Sequence, residues 1–195
     1  YGGEPTEAVE SIAYLTKHLK TICKFSSSII TNGYNLDKLL PTIEELCIRD
    51  VQITIDGRKE SHNKTRILRS GGDSYDKIMG NIESAIKTNQ NLIIYIRMNI
   101  TKQNSSEYTS LKRETDSRFG GRVILYPAFV HDYNNTCTSN ICFECSEDKA
   151  NFLTNLYESH GIYTNELVIS RKSKGCGVQS QNSLVIGPEG ELYKC

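Results

Sequence analysis

Helical and strand-like hydrophobic periods alternate along the first two thirds of this chain, and that alternation limits its fold more than any other feature. Ala8, Ile12, Leu15, Leu19 and Ile22 recur at spacings of four and three, the stripe of an amphipathic helix, with Thr6 as a fair N-cap. Ser27 to Thr31 is a short apolar strand ending in Asn32-Gly33. A second helical stripe carries Leu36, Leu40, Ile43 and Cys47, and a second strand, Asp50 to Ile55, ends in Asp56-Gly57. After a polar loop, a third helix turns Ile78, Ile82 and Ile86 inward. The third strand, Leu92 to Ile100, is nearly continuous in apolar residues, as expected of a parallel strand covered on both faces. A polar helix, Ser105 to Ser117, precedes a fourth strand, Arg122 to Phe129. Such alternation predicts βαβ units and a parallel sheet, whose sites form beyond the carboxyl ends of the strands. The glycine-bearing and polar signatures sit at those ends: Gly2-Gly3-Glu4, Thr31-Asn32-Gly33, Thr54-Ile55-Asp56-Gly57 and Asn99-Ile100-Thr101. They are expected to share one pocket rim.

From His131 the character changes. A cysteine-bearing loop to Lys149 leads into a helix around Ala150 to Ser159. Leu184 to Ile186, Gly187-Pro188-Glu189-Gly190 and Glu191 to Tyr193 read as a β-hairpin.

The 23 basic and 23 acidic residues cancel, so no global field draws the chain to nucleic acid or an anionic membrane. Its apolar runs are too short to span a bilayer. No secretory signal opens the sequence, and seven cysteines is an odd count. Both point to a reducing, cytoplasmic setting, where cysteines hold metal or stay free. The four Asn-x-Ser/Thr matches, beginning at Asn63, Asn99, Asn104 and Asn134, then carry no meaning. No Walker or Gly-x-Gly-x-x-Gly pattern supports phosphate binding.

Gly2-Gly3-Glu4-Pro5 resembles the motif after the second strand of radical S-adenosylmethionine enzymes. Thr54-Ile55-Asp56-Gly57, followed by Glu60, His62, Arg66, Gly71 or Gly72, Ser74-Tyr75-Asp76 and Asn81-Ile82, resembles their fourth-strand region. The branch most like it contains anaerobic sulfatase-maturating enzymes and peptide maturases. The resemblance covers residues 1–130 and implies an α/β fold, a partial parallel (β/α) barrel whose four strands are the family's third to sixth. It also implies that the chain is an internal piece: the cluster-binding cysteine triplet should lie before Gly2, and the first strand is missing. Residues 131–175 would be a cysteine-bearing connector, and residues 176–195 the opening of an auxiliary-cluster domain.

The residue types suit the implied chemistry. Glycines let backbone approach a ligand closely, and a following carboxylate can pair with an ammonium. The resemblance places Gly2, Gly3 and Glu4 at the amino group of the cofactor's methionine moiety. The alternative is a tight turn with Glu4 at a helix N-terminus. Thr54 would face the ribose or carboxylate, Asp56 would lie further along the same side, and Arg66 could clamp the carboxylate bidentately. The competing reading is a strand-end turn and a solvated loop. Asn32 and Asn99 either join that rim or satisfy backbone groups. Asp132 could serve as a base or be a loop aspartate.

Cys176 and Cys195, with Gly190 between them, resemble the auxiliary-cluster hairpin. They would ligate a [4Fe–4S] cluster whose remaining cysteines lie downstream. Cys137, Cys142 and Cys145 are spaced as in plant-type ferredoxins, and His131 could complete a zinc site; free thiols are the other reading. Cys23 and Cys47 are expected in the core.

The implied activity is reductive cleavage of S-adenosylmethionine to abstract hydrogen from a peptide or protein substrate. The implied cofactors are S-adenosylmethionine and [4Fe–4S] clusters in the parent, with none expected to be bound in the fragment. An electron donor such as flavodoxin or ferredoxin would act as partner. The alternative is a non-catalytic metal-binding or regulatory module on a related barrel.

Overall fold

The structure, a computed structural model, describes residues 3–131, 141–143, 145–164 and 183–194. Gly2, Asp132, Cys137, Cys176 and Cys195 lie outside the described residues. Among the described residues, six strands and five α-helices follow in chain order. They are α1 (Val9–Ile22), β1 (Ser27–Thr31), β2 (Ile48–Thr54), α2 (Lys59–Thr65), α3 (Tyr75–Thr88), β3 (Ile93–Ile100), α4 (Tyr108–Phe119), β4 (Val123–Phe129), α5 (Ser146–His160), β5 (Val185–Ile186) and β6 (Leu192–Tyr193). The expected parallel α/β arrangement is present: β1 to β4 form one sheet in the order β1-β2-β3-β4, every pair parallel. The hairpin is also present, with Val185 opposite Tyr193 and Ile186 opposite Leu192.

The two faces of the sheet differ. Val51, Ile53 and Ile55 on the β2 side, and Ile94, Ile96, Met98 and Ile100 on β3, have no exposed surface. They meet Ile78, Met79 and Ile82 of α3 and Tyr108 and Leu111 of α4 in one core. The alternate positions, Gln52, Thr54, Tyr95, Arg97, Asn99 and Tyr126, are half-buried. Period-two alternation puts them together on the other face. β3 therefore departs from the expectation of a strand covered on both sides. Its apolar run includes Tyr95, Arg97 and Asn99 at alternate positions, and among the described residues helices seal one face.

Three other local expectations change. The stretch after Asn35 is two 3-10 turns, Leu36–Lys38 and Leu40–Thr42, because Pro41 lacks the N–H a continuous helix would use. Leu36, Leu39, Ile43 and Leu46 still reach the core. In α1, Val9 and Ile12 pack on the core, whereas Leu15, Leu19 and Ile22 are exposed. The helix packs instead through the face of Ile12, Thr16 and Lys20: Thr16 is buried, and Lys20 Nζ donates to Glu45 O at 2.6 Å in the turn before β2. Cys23, the residue ending α1, is consequently exposed rather than core, and Cys47 is only half-buried in the turn before β2. The polar loop after Asp56 contains the short helix α2.

Candidate functional site

At the carboxyl end of β1, Glu4 ties the amino-terminal segment to the sheet. Its Oε1 accepts hydrogen bonds from Thr6 N (3.1 Å), Thr6 Oγ1 (2.7 Å) and Thr31 Oγ1 (2.5 Å), and its Oε2 from Asn32 N (2.7 Å). Asn32 Oδ1 accepts from Tyr34 N at 2.8 Å, closing the turn. Gly33 is required there: its φ is 81°, and a Cβ would stand 2.8 Å from Ile53 Cγ2. Glu4 thus sits on the expected rim with four protein donors on its carboxylate, about the full capacity of that group.

The carboxyl ends of β2 and β3 are joined through Asp56. Its Oδ2 accepts from Arg66 Nε at 2.7 Å and its Oδ1 from Asn99 Nδ2 at 2.9 Å. Asn104 Nδ2 donates to Asp56 O and Asn99 O, at 3.1 and 2.9 Å. Arg66 reaches this point because α2 turns the chain back. Gly57 (φ 124°) permits the reversal, and a Cβ on it would meet Glu107 and Ser61.

His62, fully buried on α2, holds the turn together. Its Nδ1 accepts from Asp56 N at 3.3 Å, so Nε2 carries the proton and donates to Ser74 Oγ at 3.1 Å. Ser74 Oγ donates in turn to Arg66 O at 3.1 Å. Burial pushes the imidazole down to about 4; Asp56 opposes that shift and Arg66 adds to it. A second proton would set an N–H against the Asp56 N–H.

The Asp56–Arg66 pair divides two recesses. One, of about 310 Å³, is lined by Asn32, Tyr34, His62, Arg66 and Ser74 among others. The other, of about 440 Å³, is lined by Asp56, Ser61, Lys64, Asn99, Thr101 and Asn104 among others. Glu4, Asn32, Asp56, Arg66 and Asn99 are therefore gathered at one end of the sheet. Thr54 lies one step below, paired in register with Arg97. Gly3 has a φ of 72° and open space around it.

Two contributors were not picked out as site residues from sequence alone. His62 was visible only as part of a motif. Asn104 had a weaker signal, an amide following the strand-end Thr101. Of the cysteine group, Cys142 is buried, while Cys145 is exposed and caps α5 by accepting from Asp148 N at 3.3 Å. Among the described residues no set of three or more His, Cys, Asp or Glu side chains is placed to hold a metal. No helix among them is long and apolar enough to cross a membrane.

This parallel sheet with its polar carboxyl edge has the fold of the radical S-adenosylmethionine enzymes, as the motifs implied. Residues 1–79 match the family model described as a 4Fe-4S single cluster domain. Native anSMEcpe, an anaerobic sulfatase-maturating enzyme, with bound AdoMet superposes with a TM-score of 0.70 at 21% identity, over 100% of this chain and 58% of that one. The same enzyme with bound AdoMet and the Cp18Cys peptide gives 0.64 at 24% identity, over 82% and 45%. With AdoMet and the Kp18Cys peptide it gives 0.62 at 22%, over 82% and 44%. The chain thus spans little more than half of the enzyme it resembles. No curated protein matches it in sequence.

Proposed function

We propose that this chain is the central part of a radical S-adenosylmethionine oxidoreductase acting on a peptide or protein, as sulfatase maturases do. The observation that carries this reading is the preorganised polar rim, Glu4, Asp56, Arg66 and Asn99, on the open end of a sheet whose other face is buried and almost entirely apolar. Residues 1–130 would form the barrel part, residues 131–175 a connector, and residues 176–195 the start of an auxiliary-cluster domain.

The rim suits the cofactor in charge and hydrogen-bonding type. The Arg66 guanidinium, one third exposed and held through Nε, is oriented to receive a carboxylate. Thr54 offers a hydroxyl below it, and Gly3 a backbone free of Cβ. Glu4 fixes the amino-terminal segment against β1. When bound, S-adenosylmethionine supplies reductive cleavage of its sulfonium beside a [4Fe–4S] cluster, ending in removal of a hydrogen atom from the substrate. The cluster itself does not fit the described residues, because the stretch matched by the cluster-domain model contains only Cys23 and Cys47, on separate turns. Its ligands are assigned to a Cys-x3-Cys-x2-Cys triplet before Gly2 in the parent. Asp132 remains the candidate base, and the peptide and an electron donor such as flavodoxin or ferredoxin the partners.

The test is anaerobic reconstitution with iron, sulfide and reductant. The parent, including its upstream cysteines, should form 5′-deoxyadenosine and bind S-adenosylmethionine by equilibrium dialysis, whereas the 195-residue chain should give no turnover above a buffer blank. Glu4→Ala in the parent should weaken cofactor binding roughly tenfold to a hundredfold, because the amino-terminal segment loses the charge-assisted contacts to Thr6, Thr31 and Asn32 that hold it at the rim. A parent that neither binds nor cleaves the cofactor would overturn the proposal.

A further inference from the structure

Arg66 is held at three atoms, and two of those holds lead to His62. Its side-chain Nε donates to Asp56 Oδ2 at 2.7 Å. Its backbone N–H donates to His62 O at 2.8 Å. Its carbonyl accepts from Ser74 Oγ at 3.1 Å. A hydroxyl has one hydrogen, so Ser74 Oγ, having given it to Arg66 O, accepts from His62 Nε2. The other ring nitrogen takes the Asp56 N–H at 3.3 Å. One imidazole therefore grips the backbone of both members of the ion pair, Asp56 directly and Arg66 through a hydroxyl.

These links supply support that the helix does not. Arg66 ends α2 at φ −120° and ψ 66°, outside the helical range, so no following turn fixes its carbonyl. Ser74 is itself fixed, because Asn63 Oδ1 accepts from Ser74 N and Tyr75 N at 3.2 and 3.1 Å. His62 and Ser74 are buried, and the Tyr75 ring meets the imidazole in a T-shaped contact with centroids 5.7 Å apart. The arrangement is rigid where it is hidden and open where it ends. Arg66 lines the recess of about 310 Å³ with Asn32, and among the described residues Nε is the one guanidinium nitrogen with a hydrogen bond. A guanidinium reads a carboxylate through the placement of its fork, so misplacing it costs affinity for the carboxylate and not for the rest of a ligand.

We infer that His62 is a positioning residue for cofactor recognition: through Ser74 and Asp56 it sets the Arg66 fork for the carboxylate of S-adenosylmethionine. The inference rests on the proposed cofactor site and names the buried group behind its selectivity.

The test compares S-adenosylmethionine with its decarboxylated analogue, which keeps the ammonium and the sulfonium and lacks the carboxylate. Dissociation constants are measured by equilibrium dialysis on the reconstituted parent. The parent should prefer S-adenosylmethionine at least about tenfold, the margin of a charge-assisted contact. His62→Asn keeps an acceptor for the Asp56 N–H but is too short to reach Ser74. It should shrink that preference about tenfold by weakening S-adenosylmethionine, with the analogue held within about twofold. Ser74→Ala, which leaves the imidazole in place, should shrink it about threefold. Arg66→Gln should shrink it at least as much as His62→Asn, and combining the two should add nothing, since both act on one contact. Equal weakening of both ligands by His62→Asn and by Ser74→Ala would make the histidine purely structural and overturn the inference. So would a further loss of preference in the double variant. A parent that binds neither ligand would instead overturn the proposed cofactor site, whereas one whose preference survives both variants would lose the positioning role alone.

Discussion

The two faces of the four-stranded sheet come from the same residues in alternation, yet they do opposite things. On β3, Ile94, Ile96, Met98 and Ile100 vanish into the core, while Tyr95, Arg97 and Asn99 face the open side, half-exposed. The aliphatic face is satisfied within the chain. The polar face is satisfied at its upper rim, where Asp56 holds Arg66 and Asn99, and incomplete one row below, at Arg97. Stability is therefore concentrated on one side and capacity for ligands on the other.

The largest effect should come from crossing that division. Ile96→Ala removes a fully buried side chain and should cost about 2–5 kcal/mol, whereas Thr54→Val, at a half-buried position of the other face, should stay within about 0.5 kcal/mol. Urea midpoints with unchanged slopes measure both. Comparable losses at the two positions would break the comparison.

Next in size is an acid effect confined to the turn beneath the rim. His62 is neutral in the folded chain, with its pKa near 4, against about 6.5 when unfolded. Its contribution is complete above about pH 6.5. It drains away as the pH falls towards 4, because the unfolded chain then takes up a proton that the folded chain refuses. The loss should approach about 3 kcal/mol. Denaturation midpoints at pH 7 and 4.5 would show it, and His62→Asn should flatten that slope. An equally steep slope in the variant would assign the effect elsewhere.

The smallest effect tests whether the rim belongs to the ligand-directed face. Asp56→Asn keeps the side-chain shape but weakens the hold on Arg66, and should cost roughly 1–2 kcal/mol of stability because the pair is partly exposed. In the parent it should cost about tenfold in S-adenosylmethionine affinity, since the guanidinium loses its orientation. A stability change with no change in affinity would make the pair purely structural.

Much of this was legible beforehand. Strand positions and the parallel sheet follow from apolar periodicity, and the clustering of Glu4, Asp56 and Asn99 from their places at strand ends, whereas Arg66 is suggested only by the family resemblance. Hidden features depended on contacts remote in sequence. Nothing local says that α1 turns Thr16 and Lys20 towards the turn before β2, so its stripe through Leu15 and Ile22 reads as core. Pro41 was in plain view but was outweighed by the leucine spacing around it. Arg97 is flanked by Ile96 and Met98, which makes β3 look sealed on two faces. His62 gains its importance only when α2 brings it under Asp56.

The strand order has a consequence for how the chain assembles. Because β1, β2, β3 and β4 stand side by side in the order in which they are made, each strand pairs with the one synthesised just before it. No pair needs a partner from beyond the next helical segment, so loop-closure entropy is met in modest instalments. The sheet can grow at one edge as the polypeptide emerges, each new helix covering the same aliphatic face, and the ligand-directed side gains its rows in register without waiting for the carboxyl terminus.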